Sequence, residues 1–269
     1  MAPNLIKACL FGLASGSCVL AKPTTAGCPG LTVSHEGTPA GTFKNISGIQ
    51  IYHTHPPRSA KPGKINTAIL YVTDIFGAAD LQNKLLADSI ARANYAVIMP
   101  DLFSGNPVPA NALSDPTFNF PAWLARHPVS ESDNAIATTI AYMRNELGVQ
   151  KIGAAGYCWG GKYVPRFLAA GQGIDVGFIA HPSNLATDEI MGIKGPISIA
   201  AGDLDDAFNA TSRRTAEDIL FSKNTTYQTS LYAGAPHGFG TRVDLSNTRQ
   251  KFAKEAAFLQ AVTWFDAWL

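Results

Sequence analysis

Cysteine is scarce in this chain, and where it falls matters more than how much there is. Of four cysteines, Cys9 and Cys18 lie in an apolar N-terminal stretch, which leaves Cys28 and Cys158 for the remainder. Two thiols so far apart make no disulfide framework, so the fold has to be held by its core. Charge of one sign is also lacking. With 21 basic against 20 acidic residues and no basic block, the electrostatic footprint of a nucleic-acid or anionic-membrane binder is excluded. The apolar stretch at 8–20 is too short, and too rich in Gly and Ser, to span a bilayer. No internal repeat or low-complexity tract points to a solenoid. What the chain does have is apolar residues, 46% of 269, enough for the core of one large α/β domain.

Lys7 precedes the apolar stretch, and Val19 and Ala21 stand at the small-residue spacing that a signal peptidase accepts. This predicts a secretory leader over 1–21, with cleavage after Ala21. Secretion is the expectation and a cytoplasmic protein the alternative. Asn45, Asn209 and Asn224 open N-x-S/T acceptor sites for glycosylation. Residues 22–47, with many Gly, Pro, Thr and Ser, read as an irregular lead-in, and 48–269 as the domain proper.

From residue 68 the pattern alternates between strands and helices. Residues 68–72 and 95–99 are continuous apolar runs, the mark of strands buried on both faces, and Leu81, Leu85, Leu86, Ile90 and Ala93 recur between them at helical spacing. That is a βαβ unit and so a parallel sheet. Residues 102–128, rich in Pro and Asn with Phe103, Phe118, Phe120 and Trp123, read as a long loop, either a substrate cap or a packed surface loop. A helix over 130–148 follows, then strands at 152–155, 176–180, 197–201 and 226–232, with helices at 211–222 and 247–269. The expected fold is a single-domain, doubly wound α/β structure with a mostly parallel sheet and helices on both faces.

The segment Gly156-Tyr157-Cys158-Trp159-Gly160-Gly161 follows one of these strands and opens a helix. Glycines two before and two after a central residue allow the sharp, strained turn that lifts a nucleophile above a sheet. The nucleophile here would be a thiol, beside a helix N-terminus that favours the thiolate; a buried, inert cysteine in a βα turn is the plainer reading. A thiol nucleophile needs an imidazole, and the imidazole needs a carboxylate. Ligands of doubly wound sheets lie beyond the carboxyl ends of the strands. In the order nucleophile, acid, histidine, Cys158, Asp205 and His237 satisfy both rules. Asp203 and Asp206 share the loop of Asp205. His181 also follows a strand but precedes the acid, which makes it a structural or cleft-lining residue. His53-Thr54-His55 has too few companions for a metal site.

Taken together, Asp74-Ile75-Phe76-Gly77, Pro100-Asp101-Leu102-Phe103, the Cys158 elbow, the loop over 202–208 and His237-Gly238-Phe239 with Arg242 resemble the dienelactone hydrolase family of α/β-hydrolases. The resemblance covers residues 48–269. It implies a Cys158–His237–Asp205 triad that cleaves small carboxylic esters or enol-lactones through a thioacyl-enzyme, with no metal or organic cofactor. The spacing from Gly202 selects Asp205 among the three aspartates. The resemblance also implies an oxyanion hole from the N–H groups of Ile75 and Trp159, and substrate contacts from Asp74 and Arg242. The best-known members carry glutamate where this chain has Asp74, and a second arginine that nothing here matches. The partner is then a small molecule, with no nucleic acid or membrane, and a monomer is the simplest expectation. Two rival functions are a catalytically silent scaffold that binds a ligand or partner, and a thiol redox enzyme. The second lacks a resolving cysteine near Cys158.

Overall fold

In the computed structural model, residues 31–57 and 66–269 are described. The leader expected over 1–21, Cys28 and the early part of the lead-in fall outside the described residues. Along the chain run β1 (Thr42–Ile46), β2 (Ile49–Thr54), β3 (Thr67–Val72), α1 (Leu81–Arg92), β4 (Ala96–Pro100), α2 (Phe120–Arg126) and α3 (Val129–Asn145). The second half comprises β5 (Lys151–Tyr157), α4 (Trp159–Phe167), β6 (Val176–Ala180), α5 (Thr187–Gly192), β7 (Ile197–Leu204), α6 (Ala210–Ser222), β8 (Tyr227–Pro236) and α7 (Thr248–Trp268).

The eight strands form one sheet in the order β1-β2-β4-β3-β5-β6-β7-β8. Only β1–β2 and β2–β4 are antiparallel pairs. The continuous apolar runs behave as the period argument requires, with every residue of β6 and all but the first of β3, β4 and β5 buried. The two faces can be told apart on β5. A side chain on Gly153 would run into Phe265 of α7, and one on Gly156, on the opposite face, would run into Val164 of α4. Helix α1 shares the α7 face, where Lys254 bonds Gln82. Helix α3 shares the α4 face, where Trp159 Nε1 donates to Ser132 Oγ at 3.0 Å. Helices therefore cover both faces.

Two expectations change. The lead-in over 22–47 contains a strand, β1, whose residues are mostly exposed and too polar to show a buried face. It exists because Ser47 (φ 52°) and Gly48 (φ 88°) make a two-residue hairpin loop with positive φ at both positions, which aligns β1 on β2. The 102–128 segment contains α2, and two of its aromatic residues, Phe103 and Trp123, are packing groups. Phe103 and Trp123 are fully buried, with ring centroids 5.8 and 5.9 Å from that of Trp159, the first residue of α4. This segment braces the elbow helix.

Candidate active site

The elbow is built as its glycines demand. Cys158 has φ 51° and ψ −106°, a backbone strain of roughly 1–3 kcal/mol for a residue with a side chain. A Cβ on Gly156 would lie 2.5 Å from Gly160 O, one on Gly160 would strike Val72 O, and one on Gly161 would lie 2.6 Å from Pro182 Cβ. The strain is held by hydrogen bonds on both flanks. Cys158 N–H donates to Ala180 O at 3.1 Å, and Gly160 N–H to Thr73 O at 3.0 Å.

Strand register brings the other two groups to the sulfur. Leu204 and Pro236 are register partners at the carboxyl ends of β7 and β8, so the next residues, Asp205 and His237, leave the sheet side by side. Gly202 permits the approach, since any side chain there would collide with Ala235 O. His237 Nδ1 lies 2.9 and 3.0 Å from the two Asp205 oxygens, and His237 Nε2 lies 3.1 Å from Cys158 Sγ. An ionised carboxylate can only accept, so Nδ1 carries a proton toward Asp205 and Nε2 faces the sulfur.

Asp205 is buried and also accepts from the N–H groups of Ala207 (2.9 Å) and Phe208 (3.1 Å). Burial favours its neutral form, but the His237 hydrogen bond and charge together with the Phe208 N–H outweigh it and hold the carboxyl below its usual range. For His237 burial opposes protonation, and the hydrogen bonds to Asp205 and Cys158 prevail, pushing the imidazole up to about 10. The competing aspartates point elsewhere: Asp203 is exposed and accepts from Gly234 N–H at 2.6 Å, and Asp206 is exposed.

The N–H groups of Ile75 and Trp159 have no acceptor among the described residues. Trp159 is the first residue of α4, where the N–H is orphaned by helix geometry. Ile75 lies two residues after Thr73, whose carbonyl is tied to the elbow at Gly160.

The two expected substrate contacts, Asp74 and Arg242, are both engaged within the protein. Asp74 is 2% exposed, and both its oxygens are taken. Oδ1 accepts from Phe76 N–H (3.0 Å) and Asn83 Nδ2 (2.8 Å), and Oδ2 from Thr241 Oγ1 (3.1 Å) and Arg242 Nη1 (2.7 Å). Arg242 spends its other terminal nitrogen on Asp80 at 2.7 Å and lies 4.0 Å over the Phe76 ring. One cation between two carboxylates is no free anion receptor. The group instead ties the loop bearing Ile75 to the loop bearing His237.

His181 is fully buried at φ 38°, and neither ring nitrogen has a hydrogen-bond partner among the described residues. Burial lowers its imidazole to about 3, so it is a neutral ring packed 5.3 Å from that of His237. It is structural and lines no cleft. His53 uses both nitrogens internally, on Ile51 O and Tyr142 Oη. Sequence reasoning missed Ser183, whose Oγ lies 3.7 Å from Cys158 Sγ; no motif marks it. A groove of about 580 Å³ among α3, α4 and α5 offers no rival chemistry. Arg166 pairs with Asp133 and Glu189, Glu189 pairs also with the neighbouring Lys162, and Asp188 is exposed.

A mostly parallel eight-stranded sheet carrying a strained strand–turn–helix elbow after its central strand β5 defines an α/β-hydrolase. Within that class, the model of the dienelactone hydrolase family matches residues 49–269, and the chain belongs to that family. Among its relatives, "Hydrolase pyvD" of Aspergillus violaceofuscus is 43% identical over 235 residues, covering 87% of this chain and 93% of the relative. "Dienlactone hydrolase 1" of Gibberella moniliformis is 30% identical over 256 residues, covering 93% and 96%. A crystal structure of dienelactone hydrolase from Anabaena variabilis shares the fold with TM-score 0.59 at 14% identity, covering 85% of this chain and 99% of that one. The protein is a hydrolase.

Proposed function

We propose that this hydrolase cleaves small carboxylic esters or enol-lactones by thioacyl transfer through Cys158, His237 and Asp205. The observation that carries the reading is the unbroken contact from Asp205 to His237 Nδ1 and from His237 Nε2 to Cys158 Sγ, at 2.9 and 3.1 Å. With its proton already on Nε2, Sγ bonds the carbonyl carbon, and the carbonyl oxygen becomes an oxyanion facing the free N–H groups of Ile75 and Trp159. The C–O bond to the leaving group breaks and the Nε2 proton goes to that oxygen, leaving a thioester on Cys158. Acylation removes the sulfur's negative charge, one cause of the raised His237, so the neutral imidazole can take a proton from water. The hydroxide adds to the thioester, the C–S bond breaks, the acid is released, and Cys158 is left as the thiolate beside the reprotonated imidazole.

The substrate class we propose is neutral at the reacting end. Arg242 is compensated by Asp74 and Asp80, and Arg126, in the 102–128 segment, is an exposed residue closing α2. A panel of neutral esters, lactones and carboxylate-bearing dienelactones tests both parts of the reading. Iodoacetamide should abolish turnover of the neutral compounds, and substrate should protect against it. Turnover that survives complete alkylation of Cys158 would overturn the reading.

A further inference from the structure

The thiol has a second polar neighbour that neither the elbow motif nor the triad supplies. Ser183 Oγ lies 3.7 Å from Cys158 Sγ, within hydrogen-bond reach for sulfur, and among the described residues the hydroxyl has no other partner. A thiolate cannot donate, so once the sulfur is charged the hydroxyl can only be the donor.

The backbone delivers this hydroxyl deliberately. Gly161 has no side chain, and Pro182 fills the space a Cβ would need, 2.6 Å from the built atom. Ser183 N–H donates to Cys158 O at 3.0 Å, and His181 N–H to Ala200 O at 2.9 Å. The turn is held at positive φ by two residues with side chains, His181 (38°) and Asn184 (51°). Strained backbone that persists only because its surroundings fix it is characteristic of functional segments. Here the strain sets a hydroxyl beside the reacting atom before substrate arrives.

Given the thioacyl reading above, we propose that Ser183 is a further catalytic residue, a hydroxyl donor that stabilises the Cys158 thiolate. It serves two steps. Before attack it shares the negative charge with His237, favouring the ion pair over the neutral thiol and imidazole. When the thioester breaks, the sulfur departs as an anion and the same hydroxyl supports it as leaving group. While the sulfur is acylated it is a poor acceptor and the donor has little to hold, so the contact is selective for the charged states. A charge-assisted hydrogen bond of this kind moves a protonation equilibrium by about one pH unit.

The test follows the ultraviolet absorbance of the thiolate against pH, with Cys158→Ala as blank, in Ser183→Ala, Ser183→Thr and Ser183→Val. Threonine keeps the hydroxyl and valine has its shape without it, so a packing effect moves both alike. In the alanine and valine variants the absorbance should be half lost at a pH about one unit higher than in wild type, with kcat for a neutral ester down about tenfold and KM unchanged. Threonine should restore both. A half-loss pH identical in wild type, Ser183→Val and Ser183→Thr would remove Ser183 from the mechanism, while Cys158→Ala at wild-type turnover would remove the thioacyl reading itself.

Discussion

Cys158→Ala is expected to lower kcat/KM for p-nitrophenyl acetate by at least about 1,000-fold, with the melting temperature unchanged or raised. The kinetic loss follows from the geometry. The sulfur is the only nucleophile in contact with His237 Nε2 among the described residues, and without it the imidazole and the free N–H groups can assist only the slow attack of water. The stability expectation follows from the same site. Alanine keeps the Cβ and so the strain at φ 51°, and the small packing lost with one buried sulfur is offset by removing a charged group from the interior. Because the three groups act as a unit, His237→Ala should cost nearly as much, and the double variant little more than either single one. Cys158→Ser keeps the shape but offers a hydroxyl that yields its proton far less readily, so it too should lose most turnover. Steady-state kinetics beside a thermal melt would check each variant. Wild-type turnover in Cys158→Ala would refute the assignment.

Arg242→Met should act in the opposite sense, on stability first. The guanidinium sits between Asp74, which is buried, and Asp80. Removing one partner of a buried pair leaves a charge uncompensated, at about 3–5 kcal/mol. Arg242 itself is partly exposed, so about 3 kcal/mol is the appropriate figure. For a domain of this size that corresponds to a fall in melting temperature of roughly 6–12 °C. Arg242→Lys keeps the charge but loses the planar fork that reaches two carboxylates at once, and should fall between the two. The ratio of rates for neutral and carboxylate-bearing substrates should stay as in wild type. A variant of unchanged stability with KM raised only for the anionic substrate would show that the arginine binds substrate after all.

What the sequence revealed follows a physical pattern. Strands β3 to β6 were legible because a strand buried on both faces must be continuously apolar, and the elbow because its glycines answer steric needs that hold on any sheet. Cys158, Asp205 and His237 were legible because each follows a strand, and parallel strands bring their ends together. The β1 strand was not, since an exposed edge strand of polar residues carries no period of its own and depends on its hairpin turn. The ion pairs of Arg242 were hidden for a different reason. Its partners Asp74 and Asp80 lie 168 and 162 positions away, a separation that no local charge pattern reveals. Ser183 left no trace because its placement rests on two positive φ angles and on a proline seated against Gly161, none of which a residue pattern reveals.

The most direct measurement is a rapid acid quench of enzyme turning over p-nitrophenyl acetate, followed by mass spectrometry of the intact chain and its peptides. The account predicts one acetyl group on the peptide containing Cys158, removable by neutral hydroxylamine as a thioester is. Continued turnover with no acetyl on that peptide, or with the acetyl group on another residue, would contradict it.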